Sequence, residues 1–290
     1  MIHILENEWI KIEITDTGAE LQRIFHKGNK LEYLWNGDPD FWPRKAPVLF
    51  PIVGKLKNNT FIYDGKPYTL PQHGFARDRN FEVVNATDNE VLFRLIQDEE
   101  TLKNYPFNFI LEIHYSIQHY QLEICYSVYN PDKQKDLLFS IGAHPGFRCP
   151  LKGNEKFEDY YLEFEESESI ARILLDGGLR SKAIEAVALT NNVLPLAQSL
   201  FGIKDAIVVK NLKSERISLK SVKHNNGLHF NFKGYPWFGI WSKPGPFVCL
   251  EPWIGVADDV DSDQQLVTKE SIQRLAPGEK SEYSYSIEIF

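Results

Sequence analysis

Two imidazoles and one carboxyl group stand out as able to move protons. His73 sits in Pro71-Gln72-His73-Gly74, where Pro and Gly force an unusual backbone path, and an imidazole there can be a hydrogen-bond donor, an acid or a metal ligand. His144 sits in Gly142-Ala143-His144-Pro145-Gly146, directly after the apolar run LLFSIGA, where a buried strand should end in a sharp turn. Glu251 is surrounded by Phe247, Val248, Cys249, Leu250, Pro252 and Trp253, and a carboxylate desolvated in such company has a raised pKa and becomes a candidate base. Each residue also has a bland explanation. Taken singly, His73 is better read as a satisfied structural histidine, His144 divides evenly, and Glu251 competes with a structural ion pair.

Other chemistries find less support. There is no HxH, HExxH or CxxC, so a metal held by the two histidines and Glu251 would rest on an assumed meeting in space, and no metal is expected. No GxSxG occurs, no Cys adjoins a His in a motif, and phosphate-cradling Gly loops are missing.

The elements that must position these groups read as strands. In LEIHYSIQHYQLEICYSVYN, Ile113, Tyr115 and Ile117 face one way and, after a turn, so do Leu122, Ile124, Tyr126 and Val128, which is a hairpin pattern. Short runs of the same kind recur at EWIKIEI, TFIYDG, FEVVN, EVLFRLI, DAIVV, RISLKS, LHFNF, FVCLEP and YSYSIEIF, separated by Gly, Pro, Asn and Asp. Helical pattern is scarce, with candidates at 195–202 and 266–275, too few for βαβ crossovers. An all-β fold is expected: a large antiparallel β-sandwich with few short helices, in one domain over residues 1–290. The aromatic content of 13% suits a large sheet core, and also a groove lined by ring faces for sugar C–H surfaces, with core packing the default. GYPWFGIW and FILEIHYSI are read as core rather than partner surface. Three islands interrupt the strand rhythm, at 44–80, 140–150 and 247–259, and each brings an ionisable group to a strand end or turn, where a rigid sheet can aim it into a cleft.

Composition narrows the partners. The chain has 290 residues, with 32 Lys+Arg against 40 Asp+Glu and a formal charge of −8. It lacks the diffuse basic field that nucleic acid or an anionic membrane surface requires. The opening MIHILENEWIKIEI carries Glu6 and Glu8 where a secretory signal needs a basic start and an unbroken apolar stretch. The charge-free run Ala186 to Ile203 is interrupted by Asn191, Asn192, Pro195, Gln198 and Ser199, so no membrane span is expected there. Cys125, Cys149 and Cys249 are odd in number and without CxxC spacing, which fits reduced thiols and a cytoplasmic location.

At the polar islands the chain resembles the aldose 1-epimerase (galactose mutarotase-like) superfamily, most closely its LacX-type branch, with similarity to hexose-6-phosphate mutarotases. The carriers are APVLFPIVGKL, YDGKPYTLPQHGFARDRNFEV, GAHPGF, KDAIVV, GYPWFGIWSKPGPFVCLEPWIGVADD and LAPGE, spread in order over nearly the whole chain. The resemblance implies a β-supersandwich with a cleft on one face, interconversion of the α and β anomers of a sugar, and no cofactor. By motif match, His144 is the general acid, Glu251 the general base and His73 a substrate-orienting histidine. Asp205 matches an acidic residue that binds sugar hydroxyls. Lys55 falls where many members have Arg after Gly, which keeps the charge but loses the planar fork. Arg77, four residues after His73, matches a basic position of the hexose-phosphate branch, with Arg44 loosely aligned nearby. The expected partner is a small sugar, an aldose or an aldose phosphate. The alternatives are a hexose-6-phosphate mutarotase, a non-catalytic carbohydrate-binding sandwich and, with least support, a metal-dependent isomerase or lyase.

Overall fold

A computed structural model describes residues 1–202 and 205–290. Ile203, which closes the charge-free run, and Lys204, which opens the KDAIVV motif, lie outside the described residues. Two large antiparallel sheets dominate the rest. One has nine strands in the order Val193–Pro195, Tyr160–Phe164, Arg216–Ser221, Leu228–Asn231, Lys280–Ile289, Gln121–Tyr129, Ile110–Gln118, Glu90–Ile96 and Glu82–Ala86. The other runs Leu179–Val187, Ile170–Asp176, Ile207–Lys210, Trp237–Trp241, Phe247–Ile254, Ile141–Ala143 and Val48–Leu49, with Gly146–Arg148 also paired to Phe247–Ile254.

The hairpin seen in the periodicity is present as Ile110–Gln118 paired with Gln121–Tyr129, and its alternating residues Ile113, Tyr115, Leu122, Ile124, Tyr126 and Val128 are buried. They join one apolar cluster with Val248, Leu250, Ile254, Ile207 and Val209 of the second sheet. The other face of that second sheet is also covered. Phe247, Cys249 and Trp253 alternate with the core residues and belong to separate apolar clusters, as do Ala206, Val208 and Trp237. The strand Phe247–Ile254 is therefore buried along its whole length, the pattern of a central strand packed on both sides.

The helical expectations do not hold. Residues 195–202 form the end of an edge strand and a 3-10 turn over Gln198–Leu200, because Val193–Pro195 is tied to Tyr160–Phe164 and the chain turns at Gly202 with φ +71°. Residues 266–275 form a 3-10 turn at Leu266–Thr268, a reversal at Ser271 with φ +58°, and a strand Gln273–Leu275 paired with Leu137–Phe139. The α-helix that does form, Glu99–Asn104, starts at Asp98, whose carboxylate accepts from the Thr101 backbone N–H in a reciprocal capping box. Among the described residues no helix is long and apolar enough to cross a membrane. Cys149 and Cys249 are buried free thiols, and Cys125 is a partly buried one.

One close approach fixes the His73 loop. Gly74 adopts φ +71°, and a Cβ there would lie 2.2 Å from the Phe50 carbonyl oxygen, a backbone atom that cannot swing aside. Gly74→Ala is expected to destabilise the protein by roughly 2 kcal/mol or more, through the positive φ and the collision together. A urea titration measures this. A midpoint equal to wild type would show that the loop is free to move away from the sheet.

Candidate active site

The ladder of the second sheet sets two of the candidate residues side by side. On one side of Phe247–Ile254, Gly142 pairs with Trp253 and Gly146 with Cys249. The same register carried across the gap sets His144 opposite Glu251. The ladder is interrupted at His144-Pro145, where Pro145, with no N–H to give, contributes only its carbonyl, which accepts from Leu250 N. The sharp turn expected after Ala143 is not formed, because the segments before and after His144 pair with the same strand in one register. On the other side Glu251 pairs with Gly239. The strand's alternation turns Glu251 away from the main core, to the same side as Cys249 and Trp253.

His144 and Glu251 are 8% and 2% exposed. His144 Nε2 lies 3.2 Å from Glu251 Oε2, yet the two are not aligned as a hydrogen bond. Neither Glu251 Oε2 nor His144 Nδ1 has a hydrogen-bond partner among the described residues. Burial pushes the Glu251 carboxyl well above the usual carboxylate range, and the nearby Asp205 carboxylate adds to this. Burial pushes His144 down to about 3, and Arg77 and Arg44 act in the same direction. The proton of the pair thus rests on Glu251, facing a neutral imidazole.

His73, 9% exposed, stands beside this pair, its ring 5.6 Å from that of His144 and at right angles to it. It is held at φ +67°, with its N–H donating to Gly54 O and its Nδ1 accepting from Gly54 N at 3.1 Å. That acceptance fixes the neutral tautomer with hydrogen on Nε2. Burial, with His144, Arg77 and Arg44 adding to it, holds its pKa well below the ordinary 6.5. His73 is therefore a non-titrating donor.

These groups line one cavity of about 330 Å³, large enough for a hexose. Asp205 joins them, at φ +55° and oriented by the Trp241 indole N–H, which donates to its Oδ1 at 3.0 Å. Arg77 also lines it, with one N–H spent on Gln72 O at 2.7 Å and a buried Nε without a partner. Two expected substrate contacts are not among the lining residues. Lys55 turns its ammonium to Gly177 O at 2.8 Å, and Arg44 is ion-paired to Asp78 at 2.7 Å.

Among the lining residues that the sequence reading missed are Trp42, Trp241 and Arg180. Trp42 stacks on His144, with centroids 4.8 Å apart and planes at 29°, and Trp241 meets the same imidazole edge-on at 5.5 Å. The aromatic content thus serves both purposes weighed from composition, core and groove. Trp241 was assigned to the core with the rest of GYPWFGIW. Its place at the end of Trp237–Trp241, where burial gives way to partial exposure, was the available signal.

The atoms best disposed to hold a metal among the described residues are donors of His144, Cys249 and Glu251, mutually within 4.8 Å. Burial raises the Cys249 thiol well above its ordinary 9.0, and the Glu251 carboxyl is raised as well. A protonated thiol and a protonated carboxyl are poor ligands, so this donor set suits proton transfer better than metal binding.

Known proteins share this arrangement of chain. The sequence model of the family described as Aldose 1-epimerase matches residues 1–284. This chain belongs to that family. The chromosomal LacX protein of Lactococcus lactis subsp. lactis is 36% identical over 98% of this chain and 98% of its own. A galactose mutarotase related enzyme from Lactobacillus acidophilus is 36% identical and superposes with a TM-score of 0.95, covering 100% of this chain and 97% of that one. A galactose mutarotase-like protein from Lactobacillus casei is 32% identical, with a TM-score of 0.93 and full coverage of both chains. An epimerase activity of the mutarotase type follows from membership of the aldose 1-epimerase family, and a small sugar is the ligand class it implies.

The Trp42 face against His144 favours the imidazolium over the neutral ring by a cation–π attraction. Trp42→Leu is expected to lower kcat for anomer exchange about tenfold, as read by polarimetry. An unchanged kcat would show that the stacking only fills space.

Proposed function

We propose that the protein is a mutarotase for an aldose that needs no cofactor, working as one domain over residues 1–290, with Glu251 and His144 opening and closing the sugar ring. The observation that supports this reading most is the pair itself: two buried proton-active groups 3.2 Å apart, facing one hexose-sized cavity. Anomer exchange removes the proton from the C1 hydroxyl and delivers one to the ring oxygen, so that the C1–O5 bond breaks and an open-chain aldehyde forms. The net requirement is one base and one acid, which a pair holding a single proton supplies. With that proton moved from Glu251 to His144, the carboxylate takes the hydroxyl proton while the imidazolium protonates O5. Rotation about C1–C2 presents the other carbonyl face, and the steps reverse. His73, as a fixed Nε2–H donor, holds the reacting oxygen in line, and Asp205 accepts from sugar hydroxyls. Each positioned proton transfer contributes about 10² to 10⁴-fold, and orientation of the ring adds to it.

A second reading, a hexose-6-phosphate mutarotase, is favoured by one observation. Arg77 lines the cavity with a buried Nε that makes no hydrogen bond and is only 3.8 Å from Asp78, and Arg44 is near enough to act on its charge; such a pair suits a phosphate. Freshly dissolved α-glucose, α-galactose and their 6-phosphates, followed by optical rotation with and without enzyme, separate the two readings. His144→Asn and Glu251→Gln are each expected to remove most of the acceleration, at least 100-fold in kcat. A wild type that binds sugars yet leaves the anomerisation rate at that of buffer would make the protein a carbohydrate-binding sandwich instead.

The pH profile carries the sign of the two shifts. Doubly protonated, the pair has no base; fully deprotonated, it has no acid; activity belongs to the singly protonated state between. His144 is depressed, so the acid limb of kcat/KM lies toward about 3 rather than at the ordinary 6.5. Glu251 is raised, so the alkaline limb lies well above the ordinary carboxylate value of 4.5. Between the two limbs the profile is level, and His144 contributes no limb at the 6.5 of a free histidine. An acid limb centred near 6.5 in polarimetric kcat/KM would contradict this assignment.

A further inference from the structure

Arg180 is a second arginine in the wall of the cavity, and none of the chemistry above uses it. It lies just past the Gly177-Gly178 turn, at the start of Leu179–Val187, in the hairpin that this strand makes with Ile170–Asp176. The hairpin contributes Leu175, Gly178 and Arg180 to the cavity lining. The Arg180 backbone is pinned on both sides, since its N–H donates to Asp258 O at 2.9 Å and its carbonyl accepts from Val260 N at 3.0 Å. Its guanidinium is fixed as well. Nη2 reaches Asp259 at 2.9 Å and Glu270 at 2.7 Å, and the head group lies 5.3 Å from the centroid of the Trp237 ring.

Against this fixed frame one atom is unaccounted for. Arg180 is 5% exposed, and its Nε has no hydrogen-bond partner among the described residues. A buried N–H left without an acceptor is costly, and this one belongs to a side chain that lines the cavity. Two carboxylates already offset the guanidinium charge, so the donor suits an uncharged oxygen, a hydroxyl or ether of the sugar, better than a phosphate. This distinguishes it from Arg77, which is paired with the partly exposed Asp78 at 3.8 Å and has Arg44 beside it. Lys55 explains how the donor is held in place. Its Nζ donates to Gly177 O at the tip of the same hairpin, and its Cδ packs 3.3 Å from where a Cβ on Gly178 would lie.

We propose that Arg180 is a specificity-determining residue whose Nε–H donates to an uncharged oxygen of the bound sugar, and that Lys55 is a positioning residue holding the hairpin that carries it. The inference rests on the mutarotase reading for its reaction, but not for its binding measurement. Trp42, Trp241 and Trp253 line the cavity, so sugar binding is read directly by their fluorescence. The probes are glucose, galactose, their 6-phosphates and the monodeoxy analogues of whichever sugar the wild type binds most tightly.

Arg180→Lys keeps a cation for Asp259 and Glu270 but has no Nε. It is expected to raise Kd and KM about tenfold, leaving kcat and the pH profile as in wild type. One monodeoxy analogue should bind the wild type about tenfold more weakly than its parent sugar, and should lose little more in Arg180→Lys. The factor should be the same for a free sugar and its 6-phosphate. Unchanged Kd in the variant, or a loss confined to phosphorylated sugars, overturns the proposal. So does a drop in kcat with a shifted pH profile, which would place the effect at the Glu251–His144 pair. Lys55→Met leaves the Arg180 ion pairs in place and should raise KM by a smaller factor at constant kcat. If Arg180→Lys does not fold, an unchanged KM in Lys55→Met overturns the proposal by itself. A wild type that binds sugar without turning it over refutes the mutarotase reading while the Arg180 test still stands, and one that binds none of the probes refutes both.

Discussion

The register of the strand Phe247–Ile254 against the interrupted segment 141–148 is the constraint on which the site depends. Gly142 opposite Trp253 and Gly146 opposite Cys249 leave His144 facing Glu251. Slipping the ladder by one residue would turn Glu251 into the main core and bring Leu250 to the cavity. The register is secured by burial on both faces, with Val248, Leu250 and Ile254 in the main apolar cluster and Phe247, Cys249 and Trp253 in clusters on the other side. The proton-active pair is thus a by-product of a strand packed on both faces.

That placement also determines the electrostatics. Burial on a central strand raises the pKa of the carboxyl group, and burial beside two arginines lowers that of the imidazole, against the opposing pull of the indole face stacked on it. Together they keep one proton over a broad range, which neither His73, locked into one tautomer by Gly54, nor the charge-compensated Arg180 disturbs.

Much of this was legible in the chain. The alternating runs gave the strands, and Pro-Gln-His-Gly, Gly-Ala-His-Pro-Gly and the apolar surroundings of Glu251 marked the three groups before any contact was visible. What local pattern could not show was the partner of each side chain. Lys55 has the charge and motif position of a sugar ligand, but its ammonium meets the carbonyl of Gly177, more than a hundred residues later in the chain. Arg180 has no motif at all, and only the path of its hairpin across the cavity makes it visible. The two helices expected from apolar spacing were lost to edge pairing and to left-handed residues at Gly202 and Ser271, while six residues after Asp98 formed a helix through a capping box that hydrophobic spacing does not register.

Glu251 and Asp205 belong to a ladder strand and to the lead-in of another, His144 to the break between two segments paired with that ladder strand, and His73 to a turn whose main-chain groups are tied to Gly54 and Phe50. The orienting work is completed when the chain folds, before any ligand arrives. A cleft built in this way has little to rearrange on encountering a sugar, and the reaction it serves also proceeds unaided in water. The traffic of pyranoses into and out of the opening, more than the making and breaking of the ring bond, then becomes the natural limit on its throughput.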